Sequence, residues 1–337
     1  MRDQGPDFSL DIAKDGYAWW YVDAMSHDGR YGLTIIAFIG SVFSPYYKWA
    51  RRHAPADPFN HCAINVALYG PRGRWAMTER GANSLQRSGK VFSVGPSHMR
   101  WDKGELVIDI CETGAPIPLP VRGEVRLRPR AVFDQSFALD PKGQHHWRPI
   151  APLADVSVEM THPGLSWQGT GYFDHNHGHE PLEAAFTEWD WSRAHHGADT
   201  VIHYDASLKD GSSRELALRL KADGGVEHFN PPPRQALPMT LWRIDRFVRS
   251  DAQAKPQVVA TLEDTPFYAR STVKQWVDGE ELTGFHERLR LDRFCSPIVQ
   301  MMLPFRMPRL SAAKAGRSAS ILPDARSQSV PSNQSPN

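Results

Sequence analysis

Cysteine is scarce and scattered: Cys62, Cys111 and Cys295 are all that a chain of 337 residues carries. An odd number at such distances forms neither a disulfide framework nor a paired-cysteine zinc site, and it suits a reducing compartment. Long apolar runs are lacking too. The longest, LTIIAFIGSVF (Leu33–Phe43), falls short of the roughly 20 residues that a membrane-spanning helix needs. The N-terminus shows no apolar core of the kind a secretion signal carries. No charge sign dominates: the formal net charge is +1, which calls for no nucleic-acid partner. A helical period of any length is missing, since Ala312–Ser318 is too short and too polar. The GTG at Gly169 lacks the third glycine and the βαβ context of a dinucleotide site, and there is no P-loop, nucleophile elbow or CxxC pair.

What is present is an ordinary core composition, 41% hydrophobic and 23% charged, with eleven tryptophans. A large aromatic content favours big apolar cavities or extended apolar contacts. Short alternating or apolar runs, separated by Gly, Pro, Asp and Asn, predict strands from Tyr17–Asp23 through Leu33–Gly40 and Asp155–Thr161 to Leu241–Val248 and Gly284–Phe294. Their spacing predicts an all-β barrel or sandwich. Trp19–Gly40 and Trp189–Gly211 share a layout, an aromatic strand, a polar Gly turn and a second strand. That echo suggests two similar β domains joined near residues 150–165. Beyond Leu310 the sequence turns to Ser, Ala, Pro, Gln and Asn, a composition that cannot bury enough apolar surface to order itself.

Two stretches could carry chemistry. In GTGYFDHNHGHEP (Gly169–Pro181), His175, His177 and His179 alternate, so an extended backbone would set three imidazoles on one face. They could be metal ligands, although Gly178 and Pro181 argue against a continuous strand and no second cluster completes a known spacing. Otherwise they are hydrogen-bonded or solvated loop residues. The His145–His146 pair lies in a polar stretch and reads as a solvated loop. In the hairpin Phe186–Ser192 with Thr200–Leu208, one register sets Trp191 opposite His203 and Trp189 opposite Asp205, so two indoles, an imidazole and a carboxyl share a face. A carboxyl among indoles loses hydration and stays protonated, which suits an acid that protonates an alkene. The same pattern also fits an amphipathic hairpin whose tryptophans are core.

The blocks Gly16–Tyr47, Gly169–Gly178 and the hairpin FTEWDWSR…VIHYDA (Phe186–Ala206) resemble the carotenoid 1,2-hydratase family, also called hydroxyneurosporene synthase. The likeness extends from Gly16 to Arg309. It implies two lipocalin-like β-barrel domains packed together, here expected over residues 1–160 and 161–310, followed by a disordered tail over 311–337. It implies a hydro-lyase that adds water across the terminal C1–C2 double bond of acyclic carotenoids such as neurosporene and lycopene, without organic cofactor. The reaction needs an acid for C2, aromatic walls for the cation at C1, and a group that places water. On the expected register, Asp205 is the proton donor, with Tyr204 and His203 tuning it. His175 holds the water or acts as base, Asp174 orients His175, His177 is a secondary candidate, and Trp189 and Trp191 line the cation pocket. A carotenoid substrate further implies a cytoplasmic protein with peripheral contact to the inner or intracytoplasmic membrane, through PIVQMMLPFRMPRL (Pro297–Leu310) or LTIIAFIG, the latter reading better as a buried strand. A non-catalytic lipocalin-like carrier of isoprenoid or lipid is the other reading of the same features.

Overall fold

The computed structural model describes residues 5–310, so the expected tail beyond Leu310 lies outside the described residues. Twelve strands make the first sheet. They are β1 (Tyr17–Ser26), β2 (Gly32–Ile39), β3 (Ala63–Tyr69), β4 (Arg74–Met77), β5 (Leu85–Ser88), β6 (Val91–Val94), β7 (Ser97–Asp102), β8 (Glu105–Thr113), β9 (Pro120–Pro129), β10 (Phe137–Ala138), β11 (His145–His162) and β12 (Leu165–Gly178). Their order is β4-β3-β2-β1-β12-β11-β9-β8-β7-β6-β5, with β10 beside β11. The sheet curls until β4 reaches β8 and β9, around a core that includes Trp20, Ile35, Val66, Phe92, Ile108 and Phe173.

The second sheet runs β16-β15-β14-β13-β21-β20-β19. Its strands are β13 (Phe186–His196), β14 (Asp199–Leu208), β15 (Ser213–Leu220), β16 (Val226–His228), β19 (Gln257–Asp264), β20 (Tyr268–Val277) and β21 (Glu280–Arg290). A separate ribbon, β17 (Arg234–Leu237) with β18 (Arg246–Arg249), lies beside it. Helices are short: α1 (Pro45–Arg51), α2 (Leu182–Ala185), α3 (Leu291–Phe294) and α4 (Pro297–Arg306). Among the described residues no helix is long and apolar enough to cross a membrane.

The outer face of the first sheet packs against the second sheet, and this explains two unbroken apolar runs. Nearly every residue of β1 and β2 is buried. Ala18, Trp20 and Val22 point into the curled first sheet, while Tyr17, Trp19 and Tyr21 face Trp189, Trp191, Tyr204 and Phe285 in a second core between the sheets. A strand covered on both faces reads as continuous hydrophobic sequence rather than as alternation. LTIIAFIG is therefore interior strand.

Other expectations shift. β11 and β12 pair within the first sheet, so the expected boundary at 160/161 falls inside that hairpin. Gly169–Gly178 is strand to its end, despite Gly178. Strand pairing over Leu241–Val248 is confined to Arg246–Arg249, and Gly284–Phe294 ends as strand at Arg290 before the α3 turn. His145 begins β11 and is fully buried, so it is no solvated loop.

The hairpin of β13 and β14 takes a different register from the expected one. Trp189 opposes Ala206, Asp190 opposes Asp205, Trp191 opposes Tyr204, and Ser192 opposes His203. One residue of slip moves a whole side-chain set to the other face. The tryptophans thus share their face with Tyr204, whereas Asp205 and His203 point away from it.

Gly169, read from sequence only as a failed nucleotide motif, has a packing reason. A Cβ there would sit 1.9 Å from the Met25 carbonyl oxygen and 2.8 Å from the Ser26 Cα, so only glycine lets β12 pass β1 at this distance. Gly169→Ala should destabilise the fold by about 1–3 kcal/mol, the usual cost of an overpacked interior, as measured by chemical denaturation.

Candidate active site

Strand alternation divides GTGYFDHNHG into two sets. Tyr172 and Asp174 point between the sheets, and Phe173 and His175 point the opposite way. Asp174 therefore does not orient His175. The His175 ring stacks on Trp20 at 4.9 Å and on His177 at 5.2 Å, and His177 stacks on His146 at 5.1 Å. His179 stands edge-on to His177 at 6.1 Å. Stacked rings do not aim their nitrogens at one point, and no group of three or more His, Cys, Asp or Glu is arranged to hold a metal ion among the described residues. Burial lowers His175 to about 3 and His177 to about 4, so both are neutral near pH 7.

Asp205 lies on the far face of β14. Its carboxylate takes the Arg249 Nε at 3.1 Å from both oxygens, and Arg249 also reaches Glu215 at 3.0 Å. Both of its oxygens are thus turned to the Arg249 guanidinium and away from the tryptophans. His203, on the same face, is buried against Phe229 and kept neutral by desolvation, its value lowered to about 3.

The space between the sheets contains two connected hollows. An inner chamber of about 40 Å³ is lined by Asp174, Asn176, Trp191 and Tyr204, together with Trp19, Tyr21, Trp189 and Glu287. The last four also line an outer cavity of about 280 Å³. Its other walls are mostly apolar, from Ile36, Phe38, Phe43 and Met77 to Phe267, and its rim is formed by Trp242 with Val299, Met302 and Leu303 of α4. Trp189, Trp191 and Tyr204, expected at the site, are there. His175, His177, His203 and Asp205 are not.

Asp174 is 4% exposed. Its Oδ2 accepts from Trp147 Nε1 at 2.9 Å and from the Tyr172 hydroxyl at 2.8 Å. Desolvation dominates these two bonds and pushes the carboxyl from its ordinary 3.8 up to about 8. Oδ1 takes only the long contact from Asn176 Nδ2 at 3.4 Å, so with Oδ2 occupied by two shorter donors the acid proton belongs on Oδ1. Donating that proton leaves a carboxylate already solvated by an indole and a phenol.

Below this acid lies a buried charge network. Asp23 accepts from Arg193 Nε at 2.9 Å, from Arg270 Nη2 at 3.1 Å and from Tyr21 Oη at 2.9 Å. Desolvation alone would raise its carboxyl, but the two guanidinium charges outweigh it and hold Asp23 below the usual range. Arg270 also pairs with Glu287. Arg193 lies 5.3 Å from the centre of the Tyr172 ring.

Sequence reasoning missed Trp147, Tyr172, Tyr21 and Glu287. Trp147 and Tyr172 each sit two residues from a residue that drew attention, His145 and Asp174. Period two from Asp174 would have found Tyr172, once the segment was accepted as strand. Glu287 lies far along the chain and carried no local signal.

Fold and site together define a mostly β protein, a curled sheet packed on a second sheet, with a neutral buried acid at the inner end of an aromatic and apolar cavity. The chain belongs to the family described as Carotenoid hydratase CrtC, which it matches over residues 35–316. It is 55% identical to the acyclic carotenoid 1,2-hydratase of Thiocapsa roseopersicina, over 91% of this chain and 76% of that protein. Identity to the acyclic carotenoid 1,2-hydratase of Rubrivivax gelatinosus is 49%, over 90% of this chain and 76% of that one. Among solved structures, a putative AttH from Nitrosomonas europaea superposes with a TM-score of 0.55 at 14% identity, covering 85% of this chain and 98% of that one. That likeness concerns the fold alone.

The raised value of Asp174 sets a pH slope on stability. The unfolded carboxyl ionises near 3.8 and the folded one near 8, so between these values rising pH favours the unfolded chain. The cost grows across that window and is complete above it. Asp174→Asn keeps an acceptor for Trp147 and Tyr172 but cannot ionise. The variant should be more stable than the parent at pH 8, with the difference vanishing towards pH 4, in urea denaturation at each pH.

Proposed function

We propose that the chain hydrates acyclic carotenoids, adding water across the terminal C1–C2 double bond, with Asp174 as the proton donor. The observation that carries this reading is a carboxyl held neutral to about 8 between indoles and phenols. An unactivated trisubstituted alkene needs such an acid. Protonating C2 leaves a tertiary cation at C1, in a chamber that Trp189, Trp191 and Trp19 line. Each well-placed, desolvated indole can stabilise a cation by up to about 2 kcal/mol. Trp147 and Tyr172 hold the Asp174 carboxylate as it forms, and Tyr204 shapes the chamber wall. The outer cavity takes the apolar chain behind the reacting end. Asp205, in its ion pair with Arg249, holds β18 to β14.

The same reading extends to the membrane. α4 lines the cavity with Val299, Met302 and Leu303 and exposes Ile298, Met301 and Phe305 on its other side, Phe305 at 77%. Leu241, 97% exposed, and Trp242 flank the same rim. We assign this apolar rim as a peripheral docking surface on a bilayer, through which the carotenoid passes from lipid into the cavity. The two sheets are read as two lipocalin-like units packed through the core that holds the site.

Incubating pure protein with lycopene in ¹⁸O-labelled water should yield labelled 1-hydroxy product. The rate should fall as pH rises through about 8, where Asp174 ionises. Asp174→Asn should lose at least a hundredfold, the lower range for removing a general acid, while Asp205→Asn retains turnover. A carrier would incorporate no label, and turnover by Asp174→Asn would remove Asp174 from the donor role.

For the rim, Phe305→Glu combined with Ile298→Glu should abolish co-sedimentation with phosphatidylcholine–phosphatidylglycerol vesicles. The variant should also lose turnover of vesicle-borne lycopene while retaining it on detergent-dispersed substrate. Unchanged co-sedimentation would place membrane contact elsewhere.

A further inference from the structure

Hydration needs a second group, one that takes a proton from water as its oxygen bonds to C1. The inner chamber offers few choices. Its ionisable residues are Tyr21, Asp174, Tyr204 and Glu287. Burial pushes both phenols well above their ordinary range, so each stays a neutral O–H that donates rather than accepts a proton. Asp174 is occupied by the first step.

Glu287 stands differently from Asp174. It lines both the inner chamber and the outer cavity, at their junction. Its Oε1 takes the Tyr21 hydroxyl at 2.8 Å and pairs with Arg270. Among the described residues the hydrogen bonds to the carboxylate fall on Oε1, leaving Oε2 without a hydrogen-bond donor from the protein. Two carboxyl groups thus share one chamber, one neutral in a desolvated niche and one ion-paired to a guanidinium. A carboxylate held by a guanidinium through one oxygen can bind a water through the other and take its proton. The chamber of about 40 Å³ exceeds the roughly 10–15 Å³ that one water needs.

We infer that Glu287 is the second catalytic carboxylate, binding the attacking water through Oε2 and accepting its proton. The inference rests on the donor role of Asp174. In the first step Asp174 Oδ1–H gives its proton to C2, and the alkene electron pair forms the new C–H bond, leaving C1 cationic. In the second, a water lone pair bonds to C1 while an O–H bond breaks and its proton passes to Glu287. Alkene and water become a tertiary alcohol. The cycle closes when Glu287 releases a proton to solvent and Asp174 takes one up. Arg270, tied to Asp23 as well, holds Glu287 in place, and Tyr21 bridges Asp23 and Glu287 with its single proton given to one at a time.

The separation of acid from base can be read in D₂O. Without Glu287 the cation still forms but loses a proton back instead of capturing water, so recovered carotenoid gains deuterium at its reacting end. Glu287→Gln should lower 1-hydroxy product at least a hundredfold while deuterium still enters recovered lycopene. Glu287→Asp, which restores a carboxylate, should recover part of the hydration. Hydration by a folded Glu287→Gln at the parental rate would overturn the inference. So would loss of both hydration and deuterium entry in that variant with near-ultraviolet circular dichroism unchanged, because Glu287 would then serve the cavity's shape or the first step. If Glu287→Gln does not fold, the judgement falls to Glu287→Asp: hydration lowered while deuterium entry is kept supports the inference, and both kept at parental level overturns it. Asp174→Asn run beside them separates the two readings, since loss of deuterium entry there supports the donor role whatever Glu287 does.

Discussion

Asp174 is the constraint on which the site depends. A carboxyl removed from water between two sheets cannot ionise cheaply, and the hydrogen bonds from Trp147 and Tyr172 lower the cost only in part. Those donors come from separate places. Tyr172 is on the same strand two residues before, and Trp147 is on the neighbouring β11. The indole therefore ties β11 to β12 at the point where the acid sits. Covering by the second sheet completes the desolvation, through Trp191 and Tyr204 from the β13–β14 hairpin. The acid strength of the residue is thus a property of how the two sheets meet, and neither sheet alone would create it.

The same junction buries Arg193, Arg270 and Asp23. Buried charges are costly unless paired with good geometry, and removing one partner strands the others. Here the pairing crosses between sheets: Asp23 belongs to β1, Arg193 to β13 and Arg270 to β20. A slip of one sheet over the other would separate these partners in the dry interior. The network consequently registers the sheets against each other, and with them the distance between the neutral acid and the carboxylate of Glu287. Arg193 and Arg270 also lie over the rings of Tyr172, Phe285 and Tyr21, which covers the cations with aromatic faces.

Much of the architecture was legible in the sequence because strand signals are local. Gly, Pro and Asp turns marked most of the long strands, and the missing helical period excluded a helical bundle. The segments Trp19–Gly40 and Trp189–Gly211 share a layout in sequence. Each opens with an aromatic strand, and the two meet across the interface, where Tyr21 and Trp191 contact edge to face at 5.9 Å. Register was not legible. Asp205 and Asp190 are both carboxylates near tryptophans in the chain, and only the pairing shows that both face away from them. The alternating histidines drew attention because imidazoles are chemically distinctive. Their odd-numbered positions on β12 point into the first sheet, while even-numbered Tyr172 and Asp174 point to the cavity. Short strands such as β5 and β6 escaped notice because four residues hold too few alternations to stand out.

The central claim is that Asp174 is a neutral acid at physiological pH because the fold denies it water. Isotope-edited infrared spectroscopy tests it most directly, on full-length protein carrying ¹³C-labelled aspartate, with the Asp174→Asn variant subtracted. The account predicts a protonated carboxyl band that persists at pH 7 and disappears as pH rises through about 8. A band already lost near pH 4, as for an ordinary exposed aspartate, would contradict it.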